Sequence, residues 1–169
     1  IPRWAKDEKI GYKMINARLE TLNEKPSYKG LLVNQRCIVP ASGFYEWKQT
    51  GTGKTPYYIH EKEQDLFGFA GLYSIWKNKD GHEIYSFTII TTNSSGAISK
   101  IHQRMPVILS INKESEWLDV DLADAVIMGK LNETEMVVDK KVRVVVAGTA
   151  KGYPTDYSKV KGKKVLGID

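Results

Sequence analysis

A chain of 169 residues, 41% of them hydrophobic and with 4 Trp, 9 Tyr and 4 Phe, can bury the core of one domain and is not a disordered polymer. No apolar run approaches the roughly 18 residues that a membrane helix needs, and no secretion signal opens the sequence. The one cysteine, Cys37, excludes an internal disulfide framework and fits a reducing compartment, so a cytoplasmic protein is expected.

The net charge of +5 favours acidic partners, and its distribution says more than its size. Residues 1–36 hold eight Lys or Arg (Arg3, Lys6, Lys9, Lys13, Arg18, Lys25, Lys29 and Arg36) against four acids, with Trp4, Tyr12 and Tyr28 interleaved. Basic groups neutralise phosphates and aromatic faces stack on bases, so this mixture suits single-stranded nucleic acid. A solvated basic surface above a core that holds the aromatics is the plainer alternative.

Ile1-Pro2-Arg3-Trp4 lacks an initiator Met and reads as the inside of an ordered segment, so residues are expected to precede it. Strand signals follow in series. Arg36–Ala41 and Gly43–Lys48 are short, β-branched or aromatic and separated by turn residues. Gln49–Pro56 reads as a loop, Tyr57–His60 as a return to extended chain, and Leu66–Tyr73 as a strand with glycines that admit close backbone approach. Asn78–Gly81 is a hairpin turn before Glu83–Thr92, the strongest strand signal. Asn93-Ser-Ser is expected to cap a short helix to about Ile101, Met105–Ser110 to form a strand, and Asn112 to cap a helix through Leu118. The pattern implies an α+β fold: a single β-rich domain with a curved, barrel-like antiparallel sheet and a few short helices. Beyond about residue 119 the character changes. Asp121–Met128 reads as helix, Val142–Ala147 as strand, and Lys151–Lys164 as a Gly- and Lys-rich loop.

Several motifs have plain structural readings. Gly51–Thr55 resembles a phosphate loop, but Lys48 stands where the first glycine belongs and Pro56 replaces the helix start, so it is a hairpin loop. Cys37, between Arg36 and a β-branched pair, reads as an inert packed thiol. His60 and His82 have no ligand-like spacing, so no metal site is expected.

Three segments carry chemistry. Met14–Thr21 sets Asn16 and Arg18 in an apolar context, where an amide can orient a substrate oxygen and a guanidinium can clamp phosphate. Ser42–Trp47 places Glu46 between Tyr45 and Trp47, surroundings that raise a carboxyl pKa toward proton transfer. Ile101–Pro106 puts His102 and Arg104 at a helix–strand junction.

These segments, WAKDEKIGYKMINARLET (4–21), RCIVPASGFYEWK (36–48) and IHQRMPVIL (101–109), closely resemble the SRAP family, the SOS response-associated peptidases. The resemblance runs from residue 1 to about 118, with all three motifs in family order. It implies a β-rich domain with a basic groove for single-stranded DNA that processes abasic sites, as a peptidase/hydrolase or lyase. In that family a cysteine following the initiator Met captures the ring-opened sugar aldehyde as a thiazolidine DNA–protein crosslink. By the resemblance Asn16 holds the cysteine and sugar, Glu46 assists proton transfer, and His102 acts as acid and base on the opened sugar. Trp4 and Arg18 match groove residues that contact base and phosphate, and Arg3, Lys13 and Arg104 complete the basic set. No cofactor or metal is implied. The expected partner is single-stranded DNA with abasic sites, bound by a monomer that becomes nucleoid-associated on DNA.

The chain departs from the family pattern at both ends. The Met-Cys-Gly-Arg start is absent, and Cys37 cannot replace it because its amine lies in a peptide bond. Residues from about 121 onward, through Ala150-Lys-Gly-Tyr-Pro154, resemble part of the C-terminal region of glycinamide ribonucleotide synthetase. The expected division is therefore 1–118, an SRAP-like domain lacking its N-terminal part, and 119–169, a C-terminal segment of separate character. Two alternatives remain at the level of sequence: a non-catalytic single-stranded DNA-binding module, or a fusion carrying a fragment of that purine-biosynthesis ligase.

Overall fold

The computed structural model describes residues 1–62 and 64–119 in full and 136–139 as backbone. A turn of 3-10 helix at Glu8–Lys13, started by the Asp7 carboxylate accepting from the Lys9 N–H, leads into β1 (Asn16–Arg18). Another 3-10 turn (Leu19–Thr21) and helix α1 (Leu31–Asn34) precede β2 (Arg36–Ala41), β3 (Phe44–Thr50), β4 (Gly53–Glu61), β5 (Phe67–Lys77) and β6 (Glu83–Asn93). A 3-10 turn at Ile98–Lys100, β7 (Arg104–Pro106), β8 (Ile108–Leu109), α2 (Ile111–Leu118) and β9 (Met136–Asp139) complete the described elements.

The strands form two sheets. The larger has the order β1-β6-β5-β2, with β7 on β6 and β8 on β5; the smaller is β3-β4-β9. The fold is the β-rich α+β arrangement with few short helices expected from sequence. The larger sheet is mixed, because β1 runs parallel to β6, and its strand path does not close into a barrel among the described residues.

Strands β5 and β6 pair from Lys77↔Glu83 up to Gly71↔Ile89 and then part. Residues 104–109 fill the gap. The Val107 N–H donates to the Ile90 carbonyl at 2.8 Å, and its own carbonyl accepts from the Ala70 N–H at 2.9 Å. The strand expected over 105–110 is therefore two short strands flanking Val107, each satisfying a different neighbour.

Alternation along the larger sheet gives each face its own core. Ala17, Leu72, Ile90 and Leu109 pack with Leu31, Leu32 and Trp117 beneath the helices. On the other face Phe69, Met105 and Ile108 pack with Phe44 and Ile59 of the β3–β4 hairpin. Full burial of each large apolar side chain contributes about 1.5–3 kcal/mol. Arg36 joins the first core as a charge rather than a surface group. Its Nε donates to the Trp117 carbonyl and one Nη to the Leu32 carbonyl, both at 2.6 Å, and the other Nη donates to the Asp119 carbonyl. A cation among carbonyls at the end of α2 is favourably placed, so one of the eight basic residues of the first 36 belongs to the interior.

Local differences from the expected elements have local causes. The loop expected over Gln49–Pro56 shrinks to Gly51-Thr52, because β3 and β4 stay paired down to Thr50↔Gly53. The short helix expected from Asn93 to about Ile101 is a single 3-10 turn at Ile98–Lys100: β6 runs through Asn93, and Gly96 at φ 54° turns the chain before it. Helix α2 starts two residues earlier than expected, with Ser110 rather than Asn112 as the extended N-cap, and Asn112 lies inside it. The Asn78–Gly81 turn forms as expected, with the Asn78 side chain accepting from the N–H groups of Asp80 and His82 and Gly81 at φ 83°.

Strand β9 adds to β4 in the register Tyr58↔Asp139 to Glu61↔Met136. The helix expected at Asp121–Met128, the strand at Val142–Ala147 and the loop at Lys151–Lys164 lie outside the described residues. Among those described, no helix is long and apolar enough to cross a membrane.

Candidate active site

Glu46 sits mid-strand in β3, opposite Tyr57 of β4. Strand alternation sends Glu46 to the same face as Phe44, which packs edge-on against Phe69 at 5.8 Å, while Tyr45 and Trp47 point the other way. The carboxylate thus lies on the core side of the hairpin with 21% of its side chain exposed. Burial pushes its pKa above the usual carboxylate range, and the His102 imidazole and the Trp47 N–H oppose that shift in part. The raised carboxyl expected from sequence is present, but its flanking aromatics are not the groups on its own face.

His102 lies between the 3-10 turn and β7. Its Nδ1 stands 3.6 Å from Glu46 Oε2, too long for a hydrogen bond and within ion-pair range. The same nitrogen is 3.1 Å from the Arg104 carbonyl oxygen and 3.2 Å from the Arg104 backbone N. The loop is tied down by Ser94, whose hydroxyl donates to the His102 carbonyl and whose N–H donates to the Gln103 carbonyl at 2.9 Å.

Asn16 and Arg18 lie on β1, opposite Ile89 and Thr91 of β6, with Ala17 between them buried in the first core. Their exposed side chains therefore project from the face opposite the helices, the face that carries the β3–β4 hairpin. No hydrogen bond joins Asn16 to Glu46 or His102 among the described residues. What the structure brings into direct contact is the Glu46–His102 pair; Asn16 reaches the same side of the sheet from β1.

The basic residues divide into two groups. Arg18 and Lys13 are exposed, and among the described residues their side chains have no ion-pair or hydrogen-bond partner. Trp4 is 56% exposed. Arg3 instead donates at 2.7 Å to Gln35, whose amide donates to the Tyr73 carbonyl. Arg104, expected to contact nucleic acid, is engaged by the protein. One Nη donates to Glu20 Oε1 at 2.7 Å and Asn93 Oδ1 at 2.8 Å, and the other to Glu20 Oε2 at 3.0 Å and the Thr91 carbonyl at 2.6 Å. Hydrogen bonding from Arg104 holds the Glu20 carboxyl below its ordinary pKa.

The sequence did not single out two features of this region. Glu20, Asn93 and Thr91 form the cradle around Arg104, a grouping that no local pattern displays. Tyr85 and Phe87 are 67% and 59% exposed on β6, on the face that carries Asn16 and Arg18; their alternation with Ile84 and Ser86 was legible. Cys37 packs against Gly71, where an added Cβ would stand 3.0 Å from the sulfur, and burial raises its pKa, as suits an inert thiol. Among the described residues no group of three or more His, Cys, Asp or Glu could hold a metal ion.

Comparison with known proteins places this arrangement. Residues 1–146 match the family described as SOS response associated peptidase (SRAP), a match that runs past Leu118. The chain is 56% identical over 120 residues to abasic site processing protein YoqW of Bacillus subtilis, covering 70% of this chain and 54% of that protein. It is 41% identical over 143 residues to abasic site processing protein HMCES of Gallus gallus, covering 70% of this chain and 43% of that one. It thus spans about half the length of these relatives. A crystal structure of a Bacteroides thetaiotaomicron protein superposes with a TM-score of 0.76 at 37% identity, over 82% of this chain and 64% of the other. The chain belongs to the SRAP family.

Proposed function

We propose that this chain binds single-stranded DNA and takes part in processing abasic sites, with Glu46 and His102 as the proton-transfer pair. The observation that carries the proposal is the 3.6 Å approach of His102 Nδ1 to a Glu46 carboxyl whose pKa burial has raised. A carboxyl whose pKa burial has raised gives up and takes back a proton more readily than a free surface carboxylate does.

An abasic site in equilibrium with its open form presents an aldehyde. A primary amine condenses with it to an imine and water, and each stage needs a proton delivered to or removed from oxygen. Glu46 and His102 supply those transfers. Asn16, as an amide donor and acceptor, orients the sugar oxygens. Arg18 and Lys13, which are exposed and cationic, neutralise flanking phosphates, and Trp4 offers a ring for a base. By family resemblance the stable product is a thiazolidine formed by an N-terminal cysteine, and residues 1–169 contain only Cys37, whose amine is in a peptide bond. A transient imine followed by β-elimination is the lyase arm of the same aldehyde chemistry. The names borne by YoqW and HMCES support the substrate.

Incubation with a single-stranded oligonucleotide carrying one abasic site, with and without borohydride, tests this. Trapping by borohydride, strand cleavage and a preference over duplex are the expected results. Binding without trapping or cleavage would leave a non-catalytic module, and equal affinity for duplex would contradict the single-strand reading.

A further inference from the structure

We propose that Tyr57 is the positioning residue of Glu46: its ring closes the β4 side of the carboxyl against water and keeps it facing His102. The proposal rests on the reading of Glu46 and His102 as the proton-transfer pair.

The register of the hairpin carries it. Tyr57 stands directly opposite Glu46 in the β3–β4 pairing. Directly opposed residues of an antiparallel pair share a face, with Cβ atoms about 4.5–5.5 Å apart. Alternation gives the inner face, which lies against the larger sheet, the pairs Phe44–Ile59, Glu46–Tyr57 and Lys48–Thr55 in that order. The first pair belongs to the core, with Phe44 edge-on against Phe69. Glu46 and Tyr57 are the next step outward, and both are half-buried. The outer face has an aromatic cluster of its own. The rings of Tyr45 and Tyr58 lie 4.9 Å apart between centroids, and Tyr58 stacks on His60 at 5.5 Å. The Tyr58 ring also fills the space above Gly43, where an added Cβ would come within 2.3 Å of it. Those rings are turned away from the carboxyl, which leaves Tyr57 as the aromatic side chain level with it on the inner face.

Glu46 thus has Phe44 two residues back along its strand, Tyr57 across the hairpin and His102 Nδ1 at 3.6 Å. Lys48, two residues on, and Glu61, beyond Ile59, are the other charged residues that alternation puts on this face. Burial is the largest cause of the raised Glu46 pKa, and the His102 imidazole and the Trp47 N–H oppose it. Neither Lys48, nor Glu61, nor a bond from the Tyr57 hydroxyl is among those causes. The ring, rather than the hydroxyl, is therefore the acting part of Tyr57: it excludes water, which penalises the charged carboxylate. A ring packed beside the carboxyl also narrows the rotamers open to it, which keeps its oxygens in reach of the imidazole.

The test uses Tyr57→Thr, which removes the ring and keeps a β-branched strand former, and Tyr57→Phe, which keeps the ring, in the 169-residue chain. Carboxyl 13C resonances followed against pH report on Glu46 without requiring any activity; Glu46→Gln assigns its signal, and Glu20 serves as the internal reference. The proposal expects the Glu46 midpoint to fall toward the ordinary carboxylate value in Tyr57→Thr, to return to the parent value in Tyr57→Phe, and the Glu20 midpoint to stay put in both. Borohydride trapping on abasic single strands should slow in Tyr57→Thr by about 10-fold, less than the roughly 100- to 10,000-fold of losing an acid–base group outright. The inflection of its pH profile should move to lower pH with the Glu46 midpoint, and Tyr57→Phe should restore both rate and profile. A Glu46 midpoint in Tyr57→Thr equal to that of the parent would overturn the proposal. So would an equal fall in Tyr57→Phe, which would assign the role to the hydroxyl. If the unsubstituted chain traps no abasic DNA, the functional reading fails while the carboxyl titration still decides the positioning role. If Tyr57→Thr does not fold, Tyr57→Val, an apolar strand former without the ring, takes its place.

Discussion

His102 Nδ1 and Glu46 Oε2 meet at 3.6 Å from different sheets: Glu46 from the middle of β3 in the smaller one, His102 from the loop that enters β7 in the larger. Two devices make the meeting possible. The β3–β4 hairpin lies over one face of the larger sheet through Phe44 and Ile59, and the 104–109 segment is drawn between the diverging ends of β5 and β6. The pair is a product of sheet packing, so changes that loosen the Phe44–Phe69 contact act on the chemistry as well as on stability.

Replacing Glu46 with Gln is expected to separate activity from stability. Burial raises the Glu46 pKa in the folded state. The stabilising effect of its protonated form is therefore full below the unfolded value and is lost as pH rises through the folded one. Near neutral pH, Glu46→Gln should unfold at the same or a higher urea concentration than the parent. Trapping on abasic single strands should fall by about 100- to 10,000-fold, the usual share of a general acid–base group. A lower urea midpoint with unchanged trapping would reverse both assignments.

Glu20 behaves in the opposite sense. Arg104 holds its folded pKa below the ordinary value, so its contribution is present above the unfolded pKa and is lost as pH falls through the folded one. Exposure of 41% of the side chain keeps the contribution to about 0.2–1 kcal/mol after screening. Denaturation curves of the parent and Glu20→Gln, compared at neutral and acid pH, should differ at neutral pH and converge in acid.

Arg36 should be among the costliest substitutions. Arg36→Met leaves the carbonyls of Leu32, Trp117 and Asp119 without their donor. Each buried acceptor so stranded costs about 1–3 kcal/mol, and water entering the space recovers part of that. Equilibrium denaturation should show a loss of at least about 2 kcal/mol, with no change in the salt dependence of DNA binding in the folded fraction. A neutral outcome would show that α2 does not depend on this anchor.

Arg18 and Trp4 test the groove. Arg18→Gln should lower the slope of log affinity against log salt by about 0.7 for single strands, the value for one phosphate. Trp4→Ala should weaken binding by about 1–3 kcal/mol, the worth of one stacked base, and leave the slope alone. Fluorescence anisotropy with a labelled oligonucleotide measures both, and equal slopes for Arg18→Gln and the parent would remove Arg18 from the phosphate track.

Much of the strand framework could be read locally, because it is written in local patterns. β2 has the bounds expected from its β-branched run, β6 differs by one residue, and the Asn78–Gly81 turn carries its own side-chain bonds. What escaped depends on remote partners. β1 is three residues long and becomes a strand only by pairing with β6, and Val107 splits its segment only because two diverging strands each claim it. The same holds at the site. Glu46 and His102 were recognisable as chemical types in their motifs, but the carboxylate partner of Arg104 was not, because Glu20 lies 84 residues away. Tyr45 and Trp47 looked like the walls around Glu46, whereas strand alternation sends them to the other face.

The most direct test of the account is a double-substitution cycle on one reaction, borohydride trapping of a single-stranded abasic oligonucleotide by the parent, Glu46→Gln, His102→Ala and the combined variant. If the two groups act as one proton-transfer pair, each single change should cost nearly as much as both together, because removing either partner disables the unit. Losses that simply multiply would show two residues acting independently, and trapping indifferent to both substitutions would contradict the assignment of this site.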